Sequence, residues 1–222
     1  MSNKTILVIN PNSTESMTRG IDAACEPLRI AGGPAIECVT LKEGPPGIET
    51  QEHVDSVVQP LLHLVRESES RYAAFVIACY SDPGLHSLRE ATKKPVLGIS
   101  ESGILTALTL GQKFGVIAIL QGSIPRHLRY VGALGVADRL AAELPIGLGV
   151  AELADEKRTF GRMLEVGKAL RERGADVIVM GCAGMARYRK PLRDAIGVPV
   201  VEPTQAAVSM AIGRVCLGWE AA

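Results

Sequence analysis

The sequence has little net charge, few aromatic side chains and no long apolar run. Its 222 residues include 24 basic and 24 acidic side chains, so the formal net charge is zero and we expect no nucleic-acid partner. Aromatic residues make up 4% of the chain, which leaves few candidates for an aromatic pocket. No apolar run approaches the roughly 18 residues of a spanning helix, so we expect no membrane partner.

Export and cofactor signals are also missing. The first apolar segment, Thr5–Ile9, is too short for a secretory signal. The five cysteines are odd in number, which favours reduced thiols in a cytoplasmic protein over a disulfide framework. They are too scattered for a standard zinc motif, and the sequence has neither a P-loop nor a GxGxxG motif. We therefore expect no metal and no nucleotide cofactor.

The chain does contain a regular alternation of short apolar runs and helical patterns. Such alternation predicts an α/β fold with parallel strands. The predicted strands are Thr5–Asn10, Ile36–Leu41, Phe75–Tyr80, Pro95–Ile99, Phe114–Leu120, Gly147–Glu152, Val177–Cys182 and Val198–Glu202. The clearest helical patterns are Val54–Glu69, Phe160–Arg173 and Pro203–Val215.

The eight strands divide into two sets of four. A strand ending in a cysteine occurs in each set, at Cys79 and Cys182, and a Pro-Val strand follows it in both. This repeat predicts two pseudo-symmetric lobes, each a four-stranded, mainly parallel sheet flanked by helices, with the active site in the cleft between them. We predict a first lobe over residues 1–97 and a second over 98–202, with a C-terminal helix, 203–222, returning to the first.

Cys79 is the first candidate for chemistry. It lies at the predicted carboxyl end of a strand, where open α/β sheets bind ligands. Asp82-Pro83 follows and is typical of an N-cap with proline at the first helical position. A helix starting there would lower the pKa of the thiol. The alternative is a buried structural cysteine.

Cys182 is the second candidate, and small residues surround it. Gly181, Ala183 and Gly184 would let a ligand approach the backbone and leave N–H groups free to donate, although a core thiol in a tight turn is equally consistent. The two thiols together suit inversion at a carbon, which needs an acid and a base on opposite faces. Cysteine can serve in both roles because its pKa is tunable towards neutrality.

The turn after the first strand, Asn10–Glu15, is the third candidate. Asn12 or Ser13 can cap the next helix, and the turn can also present N–H donors to a ligand. The pattern around the other polar residues indicates no functional role. Arg126 is assigned to a solvated helix face, His127 shows no partner pattern, and Glu49 and His53 fit a surface pair at i,i+4 spacing.

Several of these segments together resemble the aspartate/glutamate/hydantoin racemase superfamily, and specifically its hydantoin racemase branch. The matching segments are Ile9–Thr14, Gly44–Pro45, Ile48–Glu49, Ile77–Leu85, Val96–Ile99 and Gly181–Met185. The resemblance implies cofactor-independent proton transfer by Cys79 and Cys182, a small-molecule substrate and a homo-oligomer. We also predict substrate contacts, mainly through backbone N–H groups, from Asn10, Asn12, Ser13, Tyr80, Ser81, Ala183 and Gly184.

The residues after each cysteine bear on the substrate. Amino-acid racemases of the superfamily typically continue Cys-Asn-Thr and Cys-Thr, whereas this chain has Tyr80-Ser81 and Ala183-Gly184. The difference favours racemisation of 5-substituted hydantoins or of allantoin. The alternatives are an aspartate/glutamate-type racemase, a maleate isomerase or decarboxylase of the same superfamily, and a non-catalytic small-molecule binding protein.

Overall fold

The computed structural model describes residues 4–220, which form two four-stranded sheets flanked by helices. The strands are β1 (Thr5–Asn10), β2 (Ala35–Thr40), β3 (Ala74–Ile77), β4 (Val96–Gly98), β5 (Phe114–Ala118), β6 (Leu140–Pro145), β7 (Val177–Met180) and β8 (Val200–Val201). The first sheet has the order β2-β1-β3-β4 and the second β6-β5-β7-β8, with every pair parallel. The shared order confirms the predicted fold class.

The helices connect the strands and cover the sheets. They are α1 (Glu15–Cys25), α2 (Gln51–Ser56), α3 (Val58–Ser68), α4 (Leu85–Ala91), α5 (Ile99–Leu108), α6 (Ile124–Ala133), α7 (Glu156–Glu172), α8 (Arg189–Ile196) and α9 (Pro203–Leu217). The predicted helix Val54–Glu69 is interrupted at Val57, and α7 begins one turn earlier than predicted because Asp155 caps it by accepting from the Arg158 N–H. No helix within residues 4–220 is long and apolar enough to cross a membrane.

Apolar residues of the inner strands alternate between two cores. In β1, Leu7 and Ile9 pack on one face of the first sheet, while Ile6 and Val8 pack on the other. Both faces are therefore covered, as expected for continuously apolar parallel strands. The second face also receives α9, whose residues Ala207, Val208 and Ala211 belong to the same core. Residues 1–3 and 221–222 of the predicted lobe and helix lie outside the described part of the chain.

The sixth predicted strand, Gly147–Glu152, is wrong. The strand lies earlier, at Leu140–Pro145, and pairs with β5 at the edge of the sheet. Gly147 has φ +74°, and the segment after it ends in a 3-10 helix at Ala151–Ala154. Leu148 and Val150 of this segment are nonetheless buried in the core of the second sheet. A loop that packs against the sheet can therefore have the apolar pattern of a strand. The edge strand β6 is only half-buried, so its own apolar pattern is weaker.

We expect Gly181→Ala to destabilise the fold by about 1–3 kcal/mol, because overpacking against a rigid neighbour costs that much. A Cβ at this position would lie 2.5 Å from the carbonyl oxygen of Ile117 in β5, and a sheet backbone cannot move aside cheaply. Urea denaturation measures the change. Gly161→Ala in α7 is the matched control: a Cβ there meets nothing within 4 Å, and helix propensity predicts a gain of about 0.5–1 kcal/mol. Equal stabilities of the two variants would contradict the expectation.

Candidate active site

The two sheets bring Cys79 and Cys182 to one cavity. Cys79 follows β3 and Cys182 follows β7, each at the carboxyl end of an inner strand. The cavity comprises about 470 Å³ of space not filled by protein atoms, part of it open solvent. Its other walls are formed by Asn10, Asn12, Met17, Ile21, Ile48, Ala78, Tyr80, Ser81, Ile119, Arg126, His127, Val150, Gly181, Ala183 and Gly184.

The two sulfur atoms have matching backbone partners. Each accepts an N–H from the residue two positions further on: Ser81 donates to Cys79, and Gly184 donates to the Cys182 Sγ at 3.4 Å. The second contact opens the 3-10 helix Ala183–Tyr188. Both thiols are partly buried. The repeat found in the sequence is therefore also present in the local geometry of the two thiols.

Burial raises the pKa of both thiols. The pKa of Cys79 rises to about 12, because burial outweighs the Ser81 N–H and the Arg126 guanidinium, which lower it. That of Cys182 rises to about 11, again through burial, with Glu202 and Glu49 adding to the rise. The expectation of a lowered Cys79 pKa is wrong, because desolvation of the thiolate dominates.

Asp82 caps a different helix from the one predicted. Helix α4 begins only at Leu85, after Gly84 in the left-handed region. The Asp82 carboxyl instead accepts from the backbone N–H groups of Ser100 and Glu101, both at 2.9 Å, in the first turn of α5. Asp82 is buried, with φ +43°, and burial raises its pKa to about 8 against the opposing effect of these donors. Through these two hydrogen bonds, Asp82 connects the loop that follows Cys79 to helix α5.

Asn10 and Asn12 line the cavity and hold one another in place. The Asn10 side chain donates to Asn12 Oδ1 at 3.1 Å and to Thr18 Oγ1 at 3.0 Å, and Asn12 Oδ1 also accepts from the Thr14 N–H. Thr14, not Asn12 or Ser13, stands at the N-cap of α1. Ser13 does not line the cavity as the structure describes it, and its N–H donates to the Pro45 carbonyl at 3.0 Å.

The remaining predicted contacts all lie in the cavity wall. Tyr80 is buried, and its ring meets the His127 ring edge-on with centroids 5.1 Å apart. Ser81 also lines the cavity, and its hydroxyl oxygen accepts a hydrogen bond from Arg126. On the Cys182 side, Ala183 and Gly184 supply small surfaces. A Cβ on Gly184 would meet the Met17 side chain at 2.3 Å, so this wall is already closely packed.

The sequence pattern predicts no site role for Arg126 or His127, yet both residues line the cavity. Arg126 Nε donates to Ser81 Oγ at 3.0 Å, so the solvated helix face assigned to this residue is wrong. His127 is buried and lies 2.6 Å from Glu143 Oε1 through Nδ1. The partner of His127 lies in β6, a strand that the sequence pattern misplaced, so no local spacing could reveal the pair.

Glu49 joins the two halves of the molecule at the cavity. Its Oε1 accepts from the Val150 N–H at 2.7 Å, and its carbonyl accepts from Arg126 Nη2 at 3.0 Å. The predicted side-chain pair between Glu49 and His53 is wrong. His53 Nδ1 accepts a hydrogen bond from the Glu49 backbone N–H at 3.3 Å and does not contact the Glu49 carboxylate. The Glu49 carboxylate is thereby left to contact the segment that follows β6.

We expect alkylation of Cys79 and Cys182 by iodoacetamide to accelerate about tenfold per pH unit from pH 7 to pH 9, because only the thiolate reacts. The raised pKa values of about 12 and 11 place this whole range below both titrations. The measurement uses Cys216→Ser, which removes the exposed thiol, and peptide mass spectrometry to follow each site. A rate that levels off below pH 8 would contradict the raised values.

We further expect Glu49→Gln to accelerate alkylation of Cys182 at pH 8 more than that of Cys79. The Glu49 carboxylate raises the pKa of Cys182, whereas Cys79 is raised chiefly by burial, with added contributions from Cys182 and Asp82. Removing the negative charge therefore lowers the Cys182 pKa and increases its thiolate fraction. Glu165→Gln, on the surface of α7, is the control. Equal acceleration at both sites would point to a general loosening of the cavity instead.

The fold and the cavity define a class of protein: a two-lobed α/β protein in which each sheet contributes one thiol to a shared cleft. The chain belongs to the Asp/Glu/Hydantoin racemase family, whose model matches residues 6–211. It is 35% identical over 220 residues to a hydantoin racemase of Paenarthrobacter aurescens, covering 97% of this chain and 92% of that protein.

Solved structures show the same similarity. The structure of an allantoin racemase from Klebsiella pneumoniae superposes with a TM-score of 0.91 at 30% identity, covering 98% of this chain and 90% of that one. That of an allantoin racemase from Pseudomonas fluorescens also gives 0.91, at 29% identity, covering 98% and 93%. The chain is accordingly an isomerase of the racemase type.

Proposed function

We propose that this racemase interconverts the enantiomers of 5-substituted hydantoins or of allantoin, using Cys79 and Cys182 as a pair of acid–base groups and no cofactor. One observation carries the proposal: the two thiols come from equivalent strand ends of two sheets and line a single small cavity. The similarity to hydantoin racemases and to allantoin racemase structures supports the substrate class.

The reaction moves one proton on and one proton off the same carbon. The thiolate of one cysteine removes the proton at C5, and the electron pair delocalises into the neighbouring C4 carbonyl as an enolate. The thiol of the other cysteine then delivers its proton to the opposite face of C5. The first cysteine ends as a thiol and the second as a thiolate, so the roles reverse for the other enantiomer.

The raised pKa values fit proton removal from carbon. A carbon next to a carbonyl is a weak acid, and a thiolate of high pKa is a correspondingly stronger base. The cost is a small thiolate fraction at neutral pH. Arg126 lessens this cost at Cys79, since its guanidinium lowers the pKa of that thiol. Backbone N–H groups at the two turns are suited to stabilise the developing enolate oxygen.

The polar groups of the cavity favour a cyclic amide over a dicarboxylic amino acid. Arg126 is a cation of the cavity wall, but its guanidinium already donates to Ser81 Oγ and to the carbonyls of Gly122 and Glu49. A substrate carboxylate would have to displace those contacts. A hydantoin or allantoin ring instead offers carbonyl acceptors and N–H donors, which match the asparagine and serine side chains without a free cation.

We also propose that the enzyme is a cytoplasmic homo-oligomer with the lobe boundaries given above. All five cysteines are free thiols, which suits a reducing compartment. Leu217 and Trp219 are more than 60% exposed beyond the core of the first sheet, and large exposed apolar side chains favour association. Light scattering coupled to size exclusion measures the subunit number, and a monomer across working concentrations would contradict this part of the proposal.

The test follows single enantiomers of several hydantoins and of allantoin in D₂O, with a metal chelator present. We expect loss of optical activity together with deuterium entry at the stereocentre, seen by NMR. Inactivity on every hydantoin and on allantoin would overturn the substrate class. Activity on aspartate, glutamate or maleate instead would support the corresponding alternative, and binding without turnover would indicate a binding protein.

A further inference from the structure

Large apolar side chains form one part of the cavity wall. Ile21, Ile48, Ile119 and Val150 line the cavity and are at most 6% exposed, and the half-buried Met17 lines it as well. Both halves of the molecule contribute: Met17 and Ile21 lie in α1 and Ile48 follows β2, whereas Ile119 follows β5 and Val150 follows β6. We call these side chains the apolar wall. The proposed proton transfer uses none of them.

Two backbone groups at the apolar wall already have partners. The Val150 N–H donates to Glu49 Oε1 at 2.7 Å. The Ile119 carbonyl accepts from the N–H groups of Gly147 and Leu148 at 2.9 and 3.2 Å, which occupies both of its lone pairs. A polar substituent at this wall would find neither group free, and burying a polar group without partners is unfavourable.

An outer groove continues from the apolar wall. Met17 and Val150 border this groove as well as the cavity, and Leu153 is a further apolar member. The groove comprises about 880 Å³ of space not filled by protein atoms, part of it open solvent. Its carboxylate and its guanidinium already have partners: Glu49 Oε1 accepts from the Val150 N–H, and Arg187 forms an ion pair with the first glutamate of α7. A ligand group that crosses the apolar wall can therefore extend into this groove.

The ring of a hydantoin requires polar partners, which another part of the cavity supplies. Asn12 lines the cavity and is buried. Its Oδ1 accepts from Asn10 Nδ2 at 3.1 Å and from the Thr14 N–H at 2.9 Å, which occupies both lone pairs of that oxygen. Because a backbone N–H can only donate, the Thr14 contact fixes the orientation of the amide. Asn12 Nδ2 is thereby left to donate to a ring carbonyl oxygen.

The geometry of the enolate separates the ring from its substituent. Once C5 has lost its proton it is planar, so the substituent lies in the plane of the ring and points away from it. The ring and the substituent therefore meet different parts of the wall. We propose that the apolar wall and the outer groove form the subsite for the substituent at C5, and that this subsite selects apolar substituents over the ureido group of allantoin. This inference rests on the proposed function and narrows its substrate class to hydantoins with an apolar 5-substituent.

Calorimetric titration of the wild-type enzyme with racemic ligands tests the selectivity. A racemate stays a racemate when the enzyme racemises it, so the heat reports binding alone. 5-Isobutylhydantoin and allantoin are a matched pair, because their substituents have the same number of non-hydrogen atoms in the same branched arrangement. We expect the isobutyl compound to bind about tenfold more tightly or more, since one buried polar group without a partner costs about that much.

The outcomes separate this subsite from the proposed function. Equal binding of the two compounds, tighter binding of allantoin, or binding of neither would overturn the subsite, even if the enzyme racemises both. Conversely, tighter binding of 5-isobutylhydantoin by an enzyme that racemises neither compound would overturn only the proposed function.

A longer substituent tests the continuation into the outer groove. We expect racemic 5-hexylhydantoin to bind at least as tightly as 5-isobutylhydantoin, with a gain of up to about fourfold for each additional CH₂ that is buried. Weaker binding of the hexyl compound would show that the subsite ends at Met17, and it would overturn the assignment of the groove.

Met17→Gln tests the apolar wall itself. Both side chains are unbranched and similar in length, but the amide can pair with a ureido group. We expect the preference for 5-isobutylhydantoin over allantoin to fall about fourfold or more, the equivalent of one buried CH₂. Met210→Gln is the matched control and should keep the preference, because Met210 is also half-buried on a helix but packs against the core of the first sheet.

A merely structural role of Met17 would give a different pattern. In that case Met17→Gln will weaken the binding of both compounds by the same factor, and that result would overturn the proposal. Thermal unfolding of each variant identifies loss of structure. Should Met17→Gln fail to fold, the comparison of the two racemates on the wild type decides the matter.

Discussion

Cys79→Ser and Cys182→Ser should each lower kcat for racemisation by about 10³-fold or more, at the upper end of what one acid–base group contributes. Both thiols act in every turnover: one removes the proton and the other delivers it. A serine hydroxyl keeps the size of the side chain but is a far weaker acid, so it can neither form the base nor donate the proton at a useful rate. Polarimetry with single-enantiomer substrates measures the loss.

Deuterium exchange separates the two roles. In each single variant the remaining thiol can still exchange the C5 proton that faces it with solvent, without inverting the carbon. We expect slow exchange in one enantiomer for Cys79→Ser and in the opposite enantiomer for Cys182→Ser. Cys216→Ser, which changes an exposed thiol, should retain full activity. Full activity in either of the two cavity variants would remove that cysteine from the mechanism.

Asp82→Ala should lower the free energy of unfolding by about 3–8 kcal/mol. The substitution leaves the N–H groups of Ser100 and Glu101 without their acceptors, at about 1–3 kcal/mol for each buried donor, and places alanine in the left-handed region at a further 1–2 kcal/mol. Asp82→Asn tolerates the positive φ and keeps one acceptor, so it should lose about half as much. Urea denaturation at pH 7 measures both changes, and an alanine variant as stable as the asparagine variant would contradict the capping role.

The pH dependence of stability provides a second check on Asp82. Burial raises its folded-state pKa from 3.8 to about 8, so between these values the unfolded chain releases the proton and the folded chain keeps it. The contribution of this group to stability is therefore fully present below pH 4 and lost as the pH rises towards 8. The free energy of unfolding of Asp82→Asn should therefore decline less steeply than that of the wild type between pH 4 and pH 8. Parallel declines would show that another group carries the effect.

The sequence predicted the fold class and the two cysteine loops because both depend on local pattern. Continuously apolar runs indicate parallel strands covered on both faces, and the repeat of a strand ending in cysteine indicates the two lobes. The sheet order, identical in both halves, agrees with that interpretation. The edge strand β6 was misplaced because its half-buried residues have a weaker pattern than the buried loop that follows it.

The polar contacts of the site could not be predicted from the sequence for a related reason. Asp82 caps a helix that begins 17 residues later, and His127 meets Glu143 from another element. Each partnership depends on tertiary packing, so no spacing rule for helices or turns could reveal it. Arg126 was misassigned because a cation on an amphipathic helix is ordinarily solvated, and only the position of α6 over the Cys79 loop places it in the cavity.

The unequal walls of the cavity have a consequence for the two directions of the reaction. Among the residues that line the cavity, Ser81 and Arg126 lie beside Cys79, whereas Gly181, Ala183 and Gly184 adjoin Cys182. Enantiomers have equal free energies in water, so the equilibrium constant is one and kcat/KM must be the same for both. Any preference that the unequal walls create for one enantiomer must therefore change its kcat and KM by the same factor: the form that binds more tightly turns over more slowly.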